Sequence, residues 1–144
     1  VIGGFGYYDM LDSPVEHCQA INKMLKMGGL HGINLPNHDS LSGKLVEWKP
    51  NSSLRKATPV NISCFNMNSI NKMLSLSGFE ARAVLWHGLD IHELIVRMIE
   101  LDSSFKDTKA CKFLYDNFNS LQKVVDSQRQ SDLLLVCAQK VKEI

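Results

Sequence analysis

Ser13-Pro14-Val15-Glu16-His17-Cys18-Gln19-Ala20-Ile21-Asn22-Lys23-Met24-Leu25-Lys26-Met27-Gly28-Gly29-Leu30-His31-Gly32-Ile33-Asn34-Leu35-Pro36 reads as one whole helix followed by one whole strand. Ser13 can cap the helix. Pro14 suits the first helical position, where its missing N–H would be unpaired anyway, and Glu16 completes an S-x-x-E box. Val15, Cys18, Ile21 and Leu25 recur at spacings of three and four, which gathers them on one face. Lys23 and Lys26 put positive charge near the helix end, where unpaired carbonyls favour it. Gly28 can adopt the left-handed conformation that stops a helix. The pattern predicts a helix over 14–27. A strand over 30–35 follows and ends at Pro36, which has no N–H for a ladder.

Outward from there, residues 1–11 read as a short strand running into Tyr7-Tyr8-Asp9-Met10-Leu11. Residues 37–66 are rich in Ser, Asn and Pro and read as a long excursion with one helical turn at 40–47. Excursions of that length often carry function. A helix over about 68–77 buries Ile70, Met73 and Leu74 and stops at Gly78, with Phe79 packing back on Leu74. A strand over 79–87 and a helix opened by Asp90 and Glu93 come next. A helix over about 107–128 lines up Cys111, Leu114, Phe118, Leu121 and Val125. Leu133-Leu134-Leu135-Val136-Cys137-Ala138 is a continuous apolar run, typical of a strand covered on both faces. Such alternation predicts an α/β fold with a mostly parallel sheet and helices on both faces.

The chain has 144 residues, 44% of them hydrophobic and 22% charged, with a net charge of +1. This bounds one soluble globular domain over 1–144. The charge balance builds no field for nucleic acid or anionic lipid, and no apolar run approaches the ~20 residues that span a bilayer. The start, Val1-Ile2-Gly3-Gly4, has no basic leader region and no initiator Met, so a processed or partial cytoplasmic chain is expected. Cys18, Cys64, Cys111 and Cys137 form no CxxC pair and read as free thiols. The five histidines show no metal-ligand spacing, so no metal is expected.

Three segments in order resemble the class I S-adenosylmethionine-dependent methyltransferases. Tyr8-Asp9-Met10-Leu11 and the helix ending Leu25-Lys26-Met27-Gly28-Gly29-Leu30 look like that family's fourth strand and following helix, with Met27 where proline is usual. Asn34-Leu35-Pro36-Asn37 looks like the end of the fifth strand. Pro59-Val60-Asn61-Ile62-Ser63-Cys64-Phe65, with Leu74-Ser75-Leu76-Ser77-Gly78-Phe79-Glu80, is similar to the stretch that closes on "GFE". Ser131–Ala138 looks like an antiparallel last strand. The resemblance covers about 8–88 and 131–142 and implies a partial Rossmann-like sheet, the C-terminal half of the fold, with a helical insertion at about 90–130. The glycine-rich turn and the acidic strand end that hold the cofactor in this family do not precede residue 8. Gly3-Gly4-Phe5-Gly6 is G-G-x-G rather than G-x-G-x-x-G, and its simpler reading is a flexible or close-packed strand start.

The resemblance implies S-adenosylmethionine as cofactor and a small-molecule or sugar-like acceptor. In open α/β sheets ligands sit at the carboxyl ends of strands. Tyr7, Tyr8 and Asp9 are there for the cofactor, with Asp9 as a base, or else serve as packing and turn residues. Asn37 and His38 follow the next strand, His38 as a second base or as a plain loop histidine. Arg55 could hold an anionic group of the acceptor, or else is a solvated surface residue. Asn61 stands where relatives often have histidine and keeps at most a hydrogen bond. The rival reading is a non-catalytic binding or oligomerisation module. In the family the fourth strand pairs with the first, so strand 1–8 should present an open edge. That edge suits a homodimer or an N-terminal partner segment.

Overall fold

The computed structural model describes residues 1–48 and 62–144; the predicted site residues Arg55 and Asn61 lie outside them. The element order is β1 (Ile2–Phe5), a 3-10 turn (Tyr8–Met10), α1 (Pro14–Met24), β2 (Leu30–Pro36), α2 (Leu41–Trp48), α3 (Met67–Leu76), β3 (Phe79–His87), α4 (Asp90–Leu101), a 3-10 turn (Ser103–Asp107), α5 (Lys109–Asp116), α6 (Phe118–Ser127) and β4 (Leu133–Lys140). Two compact units result. One holds residues 1–38, 62–85 and 133–144, and the other holds 39–48 and 86–132 of the described chain.

The first unit carries the sheet, in the order β1-β2-β4-β3. β1 runs parallel to β2, and β4 runs antiparallel to β2. The expected antiparallel last strand is therefore present. The expectation of a mostly parallel sheet is met only by the β1–β2 pair. The reason is the position of β4. Inserted between β2 and β3, it takes the slot that a further parallel strand would need.

Register explains the burial. His31, Ile33 and Leu35 pair with Ala138, Val136 and Leu134 across the ladder, and all six are fully enclosed. Residues opposite one another point to the same side, so this face is the core. Each enclosed Ile, Leu or Val there contributes about 1.5–3 kcal/mol. The alternate residues, among them Leu30, Asn34, Leu135 and Cys137, are half-buried on the other face. α1 covers the core face with Cys18 and Ile21, and α3 packs beside it with Ile70, Met73 and Leu74.

Helix ends follow local chemistry. α1 is shorter than the 14–27 predicted, because Leu25 turns extended (φ −97°, ψ 144°) and Gly28 takes φ 76°. Ser13 makes no side-chain cap, contrary to the S-x-x-E reading. A capping box is present on α3, where the Asn66 side chain accepts from the Ser69 N–H and Ser69 returns the bond, and Thr108 caps α5 by accepting from the Cys111 N–H. The expected turn at 40–47 is the full helix α2. The single helix predicted over 107–128 is two, α5 and α6. They are broken at Asn117 (φ −108°, ψ 9°), whose side-chain amide donates to the Phe113 carbonyl at 2.9 Å.

The second unit has its own core of Ile91, Ile95, Cys111 and Val125, with Phe105, Leu114, Phe118 and Leu121 packed around it. Asp90, fully buried, holds its polar centre. One carboxylate oxygen accepts from the Ser42 N–H (3.0 Å) and hydroxyl (2.9 Å), the other from the Asp132 N–H (2.9 Å) and the Gln122 amide (3.3 Å).

Candidate functional site

The carboxyl end of β1 is shaped by its glycines. Gly6, at φ 70°, reverses the chain after Phe5. The following two tyrosines then fold back over Gly4. A Cβ at Gly4 would lie 2.7 Å from the Tyr7 hydroxyl and 3.0 Å from the Tyr8 ring. Gly3-Gly4-Phe5-Gly6 is thus a packing device, as its simpler reading had it.

This back-folding decides what the predicted site residues do. The Tyr7 and Tyr8 rings stack at 5.2 Å, and His17 of α1 meets both edge-on at 5.3 and 5.4 Å. The Tyr7 hydroxyl lies 2.9 Å from His17 Nε2 and stays half-buried. Tyr8 is 0% exposed, with its hydroxyl 2.7 Å from His31 Nε2. In this chain Tyr8 is a core residue and presents no surface to a cofactor. Burial, with smaller contributions from Cys18, raises the pKa of both phenols, that of Tyr8 the more strongly. Both therefore work as neutral hydrogen-bonding groups.

Asp9 is 6% exposed. Its carbonyl accepts from the N–H of Ile62 (2.8 Å) and Ser63 (3.0 Å), so it anchors the chain where it re-enters the described structure. Asn37 is buried and bridges to Phe65, whose carbonyl accepts the His38 N–H at 2.7 Å. His38 itself is exposed beyond the end of β2. The structure thus brings two backbone clamps, Asp9 on 62–63 and Asn37–His38 on Phe65, to the carboxyl ends of β1 and β2. Sequence reading passed over His17 and His31. The only signal for them was histidine on an apolar face.

An open groove of about 480 Å³ in this unit is floored by Leu74 and Phe79 and rimmed by Asn71, Glu80 and Lys142. It lies where Gly78 meets Val141 and Lys142, at the opposite end of the sheet from Pro36. Among the described residues no three His, Cys, Asp or Glu side chains could hold a metal ion, and no helix is long and apolar enough to cross a membrane.

By sequence the chain matches no protein-family model and no curated protein. By structure it matches many solved chains. Against the [4+2]-cyclase SpnF the TM-score is 0.51 at 14% identity, covering 96% of this chain and 48% of that one. Against the mycolic acid cyclopropane synthase CmaA1, solved with SAH and CTAB, it is 0.50 at 10% identity, covering 96% and 54%. The chain has the class I methyltransferase fold. It spans about half the length of the structures it matches.

The SAH solved with CmaA1 is a molecule with a purine, a ribose and a charged amino acid end. At the carboxyl ends of β1 and β2 the register pairs Phe5 with Asn34. The Phe5 ring is 63% exposed, and Asn34 Oδ1 is enclosed without a hydrogen-bond partner. An aromatic surface beside an unused acceptor fits one flank of such a molecule, with its ring and an amine N–H. A glycine-rich turn opening a helix, which would serve the other flank, does not occur among the described residues.

Proposed function

We propose that this chain supplies the C-terminal half of an S-adenosylmethionine-dependent methyltransferase acting on a small-molecule or sugar-like acceptor. The observation that carries the reading is the strand order β1-β2-β4-β3 with β4 antiparallel, in a chain that aligns over 96% of its length with structures about twice as long. The cofactor supplies an activated methyl carbon. The protein's part is to align a nucleophile and exclude water. Phe5 and Asn34 would hold one flank of the cofactor, and the half-buried Tyr7 would border it. Of the two base candidates, exposed His38 is better placed than enclosed Asp9 to take a proton from an acceptor hydroxyl. Asp9 instead fixes the backbone around the site.

Calorimetric titration with S-adenosylmethionine and S-adenosylhomocysteine tests this. Saturable binding to the isolated chain supports it, and so does binding that appears only when a longer version of the protein is used. No binding by either rejects it.

A second reading, a non-catalytic oligomerisation module, is favoured by the outer side of β1. β1 is the last strand of the sheet, and no charged side chain occurs between Val1 and Tyr8 to discourage further pairing. In that reading a second copy takes the edge. Sedimentation analysis that shows a concentration-dependent dimer would favour it, and a monomer at all concentrations would remove it.

A further inference from the structure

His31 stands in β2, wholly enclosed, and its two ring nitrogens have different partners. Nδ1 lies 3.0 Å from the Ile2 carbonyl oxygen. A carbonyl only accepts, so Nδ1 carries the ring proton. In the neutral ring Nε2 then accepts, and the Tyr8 hydroxyl donates to it at 2.7 Å. One imidazole thus ties the start of β1, the turn after β1 and β2 together. Asp9, next to Tyr8, in turn holds Ile62 and Ser63 through its carbonyl.

We propose that His31 is an acid-sensitive latch whose protonation releases Tyr8 and loosens both the turn at 6–10 and the returning segment at 62–63. The step takes one proton from solvent onto Nε2 and changes no other bond. Nε2 then becomes a donor facing a donor. The Tyr8 hydroxyl must rotate to accept from it or turn towards neighbouring Cys18.

The surroundings offer the charged ring one compensating group, the Ile2 carbonyl. From β1 it meets the Ile2 carbonyl, from the turn the Tyr8 phenol with Tyr7 stacked behind, and from α1 it feels His17, while Cys18 lies against Tyr8. From β3 it meets the Phe79 ring, and from β4 its cross-strand neighbour is Ala138. Among the described residues no carboxylate is a partner of His31. Burial lowers its pKa below the ordinary 6.5; the Ile2 carbonyl opposes this and His17 adds to it. The sign follows. On acidification the unfolded chain takes up its proton first. Stability tied to His31 is therefore complete above about pH 6.5 and is lost progressively below it.

The test is a pH titration of the whole chain, following the His31 ring by nitrogen-15 NMR and backbone amide protection in parallel. The expected result is the Nδ1–H tautomer at neutral pH and a His31 midpoint below the ordinary histidine value. Protection of residues 2–10 should fall as His31 titrates. Tyr8→Phe keeps the ring but removes the donor to Nε2, and should raise the midpoint by roughly half to one pH unit. If that variant does not fold, the unmodified chain still decides. An Nε2–H tautomer, a midpoint at or above the ordinary value, or protection that ignores His31 would overturn the latch. None of these readouts involves cofactor binding, so the latch and the methyltransferase reading can fail separately.

Discussion

Lys140 and Asn22 are joined end to end: the Lys140 ammonium donates to the Asn22 carbonyl at 2.9 Å, from a side chain 1% exposed. It also donates to the Leu25 carbonyl at 2.8 Å and to Glu143 at 2.7 Å. The charge from β4 thereby caps the C-terminus of α1, where unpaired carbonyls gather partial negative charge. Lys140→Met would keep the stem's packing, remove the ammonium donor from the Leu25 carbonyl and leave the Asn22 carbonyl with the Leu25 N–H as its donor. The expected loss is about 2–4 kcal/mol of stability, read by urea unfolding. A loss below about 0.5 kcal/mol would mean that the cap contributes little.

Gly4 and Gly3 make a controlled pair. A methyl at Gly4 meets the half-buried Tyr7 hydroxyl and the enclosed Tyr8 ring, whereas at Gly3 it meets the Phe5 ring edge at 2.7 Å, and Phe5 is exposed and can swing away. Gly4→Ala should cost roughly 1–3 kcal/mol, and Gly3→Ala much less. Equal melting temperatures for the two variants would remove the packing account of the glycine-rich start.

Much of this was legible. The helix after Pro14, the left-handed turn at Gly28 and the apolar β4 run each rest on local periodicity or on a glycine that the backbone needs, although α1 itself ends earlier, at Met24. What the sequence did not show rests on contacts between distant residues. The break at Asn117 comes from one side-chain amide bonding its own helix. The failure of Ser13 to cap comes from its backbone angles. Tyr7 and Tyr8 were expected beside a cofactor, but Gly6 reverses the chain and Tyr8 is enclosed, and no pattern in the sequence announces a reversal of two aromatic rings. His17 and His31 looked like ordinary helix and strand residues because their partners lie ten and twenty-three positions away.

In the second unit, Asp90 accepts four hydrogen bonds through two oxygens. Asp90→Asn is nearly the same size but turns one acceptor into a donor facing donors. The expected loss is about 2–4 kcal/mol, with folding otherwise retained. Thermal unfolding measures it, and an unchanged midpoint would show that these bonds are dispensable.

Thiol labelling separates the cysteines. Cys18 and Cys111 are buried and Cys64 is exposed. Burial raises the Cys18 pKa, only partly offset by Ser77 and Tyr8, and so suppresses the reactive thiolate. Peptide mapping after brief alkylation at neutral pH should find Cys64 modified and Cys18 and Cys111 intact, with all four modified in denaturant. Early labelling of Cys18 would mean that α1 opens readily from the sheet.

The most direct test of the central claim is to map where S-adenosylhomocysteine touches the chain, by backbone amide NMR. The account predicts shifts confined to the carboxyl ends of β1 and β2, at Phe5–Met10, Asn34 and Asn37–His38. Shifts only around Asn71, Glu80 and Lys142, at the opposite end of the sheet, would contradict it.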